Sequence, residues 1–148
     1  MSQESLQRYR RLLQMRALQQ KIAEGALSRA ENQLRLAERE AEDANELADA
    51  AATAALIEGE VTLDELIDSR MNAEFFAAGA SRAASALVAH ELTRDKQRGH
   101  LRSAAVATRQ METVVDVVTH AARAEEGRKE RIFVDETAAR ARARGRKK

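Results

Sequence analysis

Apolar residues recur along the first part of the chain at alternating steps of three and four. One column runs Leu6, Leu13, Gln20, Leu27, Leu34, Ala41, Ala48, Ala55. The column three residues later runs Tyr9, Arg16, Ala23, Ala30, Ala37, Ala44, Ala51, Glu58. Thirteen of these sixteen positions are apolar or Tyr. Held over eight heptads, that spacing keeps one stripe turned toward a partner helix. It predicts a coiled-coil seam rather than a helix of a globular core.

The pattern breaks at Glu58-Gly59-Glu60-Val61-Thr62. Gly59 suits a helix C-terminal cap. Thr62-Leu63-Asp64-Glu65 reads as a capping box, in which the Thr hydroxyl accepts from the Glu65 amide and the Glu carboxylate accepts from the Thr62 amide. Val61 and Leu66 take the two hydrophobic-staple positions. Beyond the turn the pattern is looser. One column runs Ala80, Leu87, Arg94, Leu101, Thr108, Val115, Ala122, and its companion Phe76, Ala83, His90, Gln97, Ala104, Met111, Val118. The seam turns polar at His90, Arg94 and Gln97, which reads either as a solvated, register-fixing stretch or as a hinge or docking point.

A short turn makes two helices antiparallel neighbours. The predicted fold is therefore all-α, a long antiparallel two-helix coiled-coil hairpin with a longer second helix. Helix 1 is expected over about 3–58, the turn over about 59–62 and helix 2 over about 63–143, unpaired beyond about 118. A basic tail, 140–148, follows. Folding about residue 60 pairs residue i with roughly 120 − i, so Ala48, Ala51 and Ala55 face Ala73 and its neighbours, and Leu6 and Tyr9 face Val114–Val118. The paired part is roughly 55 residues, or about 80 Å at 1.5 Å per residue.

Composition agrees with long helices. Ala, Arg, Glu and Leu dominate, aromatic residues are 3% of the chain, charged residues are 33%, and there is no Pro and no Trp. There is no Cys, so there is neither a disulfide framework nor a thiolate metal site. Met1 to Gln20 has no apolar signal-peptide core, and Ala50–Ile57, broken by Thr53, falls far short of a membrane span. The expectation is a cytoplasmic chain without direct membrane insertion. Net charge is only +1, but its placement is uneven. Residues 1–23 carry five bases and one acid, 24–68 three bases and thirteen acids, 69–120 seven bases and five acids, and 121–148 ten bases and five acids. In a hairpin, this gives an acidic closed tip and a basic open end.

No catalytic constellation accompanies the helices. His90, His100 and His120 are spaced at roughly 280° and 200° around a helix, which makes no i, i+4 metal pair. The carboxylates lack an apolar pocket that would shift them, and there is neither a P-loop nor a G-x-G-x-x-G. No catalytic residue, cofactor or metal is expected. The tail is more informative. Ile132, Phe133 and Val134 form an apolar cluster on a helix that has outrun its partner. Such a cluster is normally covered, by the tail folding back or dimerising, or by entering a site on another protein. Arg140 to Lys148 carries six bases and no acid. Without an aromatic stacking platform or a basic region ahead of a zipper, nucleic acid is the weaker partner.

At this tail the chain resembles the FliJ/YscO family, the central stalk proteins of flagellar and virulence type III secretion systems. The likeness lies in length, hairpin layout and a C-terminal signature, here Val134-Asp135-Glu136-Thr137-Ala138-Ala139-Arg140. The resemblance implies a stalk whose open end inserts into a hexameric export ATPase, promotes ring assembly and couples the ring to the membrane export gate. Some relatives also handle export chaperones. It implies a cytoplasmic place at the inner-membrane export apparatus. It implies ATPase contact by Ile132, Phe133, Asp135, Glu136 and Arg140, with Leu6, Tyr9 and Arg10 beside them. It also implies a contact with the cytoplasmic domain of the gate shortly after the turn, within Arg70 to Leu87. Phe75, Phe76, Ala80 and Ala83 are the candidates there, Phe76 on the seam and Phe75 one step off it. The competing readings are a stand-alone coiled-coil escort for export subunits and a nucleic-acid-binding coiled coil.

Overall fold

A computed structural model describes residues 3–56 and 58–146 of the chain. Among these residues are two α-helices and no strand: α1, Gln3–Ala55, of 53 residues, and α2, Leu63–Gly145, of 83 residues. The all-helical class and the longer second helix are as the sequence predicts. The chain divides into two compact units, one of Met1–Lys21 with Ser103–Lys148 and one of Ile22–Arg102. Each unit draws on both helices.

The heptad columns mark the covered side of each helix. On α1, Ala30, Leu34, Ala37 and Ala41 are buried, each at 7% exposure or less. The rest of the two columns is half-buried, save Arg16 and Glu58, which are exposed. On α2 all fourteen column positions from Phe76 to Ala122 are covered, Thr108 fully and the others partly. The same spacing continues through Ala73 to Ser69 on one side and to Glu125 on the other. An isolated helix gains little from propensity alone, so a covered apolar stripe is what holds helices this long. Here the stripe is thin: Leu34 is the one large apolar side chain buried among the described residues.

The polar seam residues lie on the stripe too. His90, Arg94 and Gln97 are half-buried, and Arg94 Nε donates to Asp95 Oδ1 at 3.0 Å. Thr108 is buried without an orphan, because its hydroxyl donates to the Ala104 carbonyl at 2.9 Å. This bond back to the preceding turn lets a threonine occupy a core position of a helix.

The connection departs from expectation at its first half. Helix α1 ends at Ala55, not near 58, and its last turn tightens. The Leu56 amide donates to the Thr53 carbonyl at 3.1 Å, and the Thr53 hydroxyl to the Asp49 carbonyl at 2.9 Å. Ile57 lies outside the described residues. Gly59 therefore does not cap α1. It lies within the connection at a φ of 106°, a backbone state that glycine adopts readily because it has no Cβ. The second half is as predicted. Glu65 N–H donates to Thr62 Oγ1 at 3.2 Å, Thr62 N–H donates to Glu65 Oε2 at 3.0 Å, and the Leu66 amide donates to the Thr62 carbonyl at 3.1 Å. Thr62 is the N-cap of α2.

In the unit holding both ends of the chain, the surroundings of Gln20 can be compared with simple folding about residue 60. That folding puts Gln20 opposite residue 100. Instead Gln20 lines a shallow depression with Ala105, Val106, Thr108, Arg109 and Glu112. On α2 the last partly covered positions are Ala122, Glu125 and Gly127. Every described residue from Arg128 to Arg146 is exposed. The helix itself continues through the Ala/Arg run, good helix formers, to Gly145, slightly past the predicted 143. Lys147 and Lys148 of the predicted basic tail lie outside the described residues.

Candidate protein-interaction surface

The last nineteen described residues, 128–146, form an arm that is helical to Gly145 and exposed throughout. Ile132, Phe133 and Val134 are 53%, 70% and 61% exposed. Consecutive helical residues point about 100° apart, so the three cover an arc of roughly 200°. They make an apolar collar, not a stripe, and a single flat partner cannot cover all three. A shallow depression on one face of the same stretch is lined by Gly127, Glu130, Arg131, Val134 and Asp135.

The charges of the arm are partly tied to one another. Arg140 pairs with Glu136 at 3.7 Å and Lys129 with Glu125 at 3.3 Å, each one helical turn apart. Exposed pairs of this kind add little stability; they fix side-chain directions. Among the described residues, Arg142, Arg144 and Arg146 have no such partner.

The sequence-predicted ATPase contacts fall in one compact unit, but in two settings. Leu6 and Tyr9 are half-buried on the stripe of α1, and Arg10 beside them is exposed. Ile132, Phe133, Asp135, Glu136 and Arg140 are exposed on the arm. The structure brings Glu136 and Arg140 together, and no hydrogen bond or ion pair among the described residues joins the arm set to Leu6, Tyr9 or Arg10.

The gate candidates separate in the same way. Phe75 is 66% exposed, while Phe76, Ala80 and Ala83 sit half-buried on the stripe of α2. The two rings meet edge to face, with centroids 5.4 Å apart. Only Phe75 offers most of its surface to a partner. Leu63, Ile67 and Met71, also exposed, precede it at i, i+4 spacing, a pattern visible in the sequence but off the heptad columns.

Among the described residues no helix is long and apolar enough to cross a membrane, and no group of three or more His, Cys, Asp or Glu could hold a metal ion. His90 is half-buried on the stripe, whereas His100 and His120 are exposed. No protein-family model, no curated protein and no solved structure matches the chain.

Proposed function

We propose that this chain is a non-enzymatic central stalk of a type III secretion export apparatus, built as an antiparallel two-helix coiled-coil hairpin. Its arm enters a hexameric export ATPase, promotes assembly and activity of the ring, and the stalk links the ring to the export gate. It works in the cytoplasm, peripheral to the inner membrane. The observation that carries the reading is the arm: α2 continues helical from Arg128 to Gly145 with every side chain exposed and an apolar collar at Ile132, Phe133 and Val134. A helix that is apolar on several sides and covered on none fits a site that surrounds it, such as the opening of a ring. The signature Val134-Asp135-Glu136-Thr137-Ala138-Ala139-Arg140, which resembles that of the FliJ/YscO family, lies on this same arm.

The test is stimulation of a hexameric export ATPase from the same genome by the purified chain. The full chain raises turnover with a stoichiometry of one per six ATPase subunits. The double change Ile132→Ala and Phe133→Ala abolishes most of that stimulation, because a few apolar anchors usually carry most of an interface. Undiminished stimulation by the double variant would falsify the arm as the contact.

A second reading, an escort for export subunits, draws on Leu12, Met15 and Leu18, exposed apolar residues at i, i+3 spacing on α1. Binding to isolated substrates or chaperones without the ATPase would favour it.

A further inference from the structure

The start of α2 carries a second uncovered apolar surface. Leu63, Ile67, Met71 and Phe75 follow one another at steps of four, with exposures of 71%, 46%, 63% and 66%. Residues four apart are neighbours on a helix surface, so the four side chains form one ridge. Its setting is acidic: between residues 58 and 81 there are six acids, Glu58, Glu60, Asp64, Glu65, Asp68 and Glu74, against Arg70 alone. The arm has the opposite setting. Around Ile132, Phe133 and Val134, residues 128–146 carry seven bases and three acids. Two of those bases are engaged with acids of their own helix, while among the described residues Arg142, Arg144 and Arg146 are in no such pair.

We infer that the ridge is a docking surface for the arm of a second copy of this chain. The apolar ridge residues cover one face of the collar, that of Ile132 and Phe133, and the acids around the ridge face the arginines of the arm. Each chain owns one ridge and one arm, so the contact is heterologous: one copy gives its arm and receives another's. The inference concerns the chain alone and does not depend on a role at an ATPase. Self-docking covers the ridge and part of the collar, apolar surfaces that a free chain otherwise leaves in water.

The experiment uses three full-length proteins: the natural chain, a ridge variant with Met71→Ser and Phe75→Ser, and an arm variant with Ile132→Ser and Phe133→Ser. All four positions are exposed, and circular dichroism checks that helicity is kept. In sedimentation at rising concentration the natural chain should self-associate. The association should weaken between about 0.05 M and about 0.5 M salt, where the Debye length falls from above about 10 Å to below about 5 Å. Each variant alone should associate at least roughly tenfold more weakly. A mixture of the two variants should form a one-to-one complex and nothing larger, because the pair retains one good ridge and one good arm. A natural chain that stays monomeric overturns the inference, as does a mixture that forms no complex. Unchanged association of either variant also overturns it. Docking of the arm onto the ridge of its own chain would appear as the monomeric outcome.

Discussion

At position 59 the backbone holds a φ of 106°, where an L side chain is strained. At position 99 the backbone is helical, and a Cβ would meet nothing within 4 Å. The same substitution should therefore act in opposite directions. Gly59→Ala should cost about 1–3 kcal/mol by forcing alanine into a poorly populated conformation. Gly99→Ala should add about 1 kcal/mol by removing the entropic cost of glycine inside a helix. Urea unfolding followed by circular dichroism reads both, and equal signs would contradict this account. The same assay tests the cap: Thr62→Ala removes the acceptor of the Glu65 amide and should cost about 1 kcal/mol. The capping box was legible because its whole chemistry lies within four consecutive residues. The role of Gly59 was not, because it depends on α1 ending at Ala55, which no residue near Gly59 announces.

Among the elements, the heptad columns located the covered side of both helices almost without error. The reason is that side-chain direction in a helix follows from residue spacing alone. Even polar members of the columns, His90, Arg94, Gln97 and Thr108, take covered positions, since a helix cannot turn one residue away without turning its neighbours. Register was less legible. Residue spacing does not specify it: Gln20 lines a depression with Ala105, Thr108 and Glu112, where folding about residue 60 puts it opposite residue 100. The ridge before Phe75 escaped because it belongs to no seam. Leu34 and Leu36 test the columns most sharply, being the same residue two steps apart. Leu34 is 6% exposed and Leu36 58%. Leu34→Ala should cost about 2–5 kcal/mol, as for a buried leucine, and Leu36→Ala no more than about 0.5 kcal/mol, as for a surface change. Similar losses at the two positions would mean that the covered side has been misassigned.

For the whole molecule the informative feature is how charge is divided. The acidic block 24–68 belongs wholly to the unit Ile22–Arg102, and the basic block 121–148 wholly to the unit that holds both ends of the chain. Net charge alone, at +1, hides this division. If the arm enters an ATPase ring, its two kinds of residue should do different work there. Apolar anchors that become buried govern how long a complex lasts, whereas exposed charges govern how fast it forms. The triple change Arg142→Ala, Arg144→Ala and Arg146→Ala should lower the association rate by about tenfold and flatten its dependence on salt. It should leave the dissociation rate within about twofold. Ile132→Ala with Phe133→Ala should do the reverse, speeding dissociation with little effect on association or on the salt slope. Stopped-flow binding to the assembled ATPase at several salt concentrations separates the two. Should the arginine triple speed dissociation as strongly as the apolar pair, with the salt slope unchanged, the arginines would be buried in the interface. The division of labour on the arm would then be wrong.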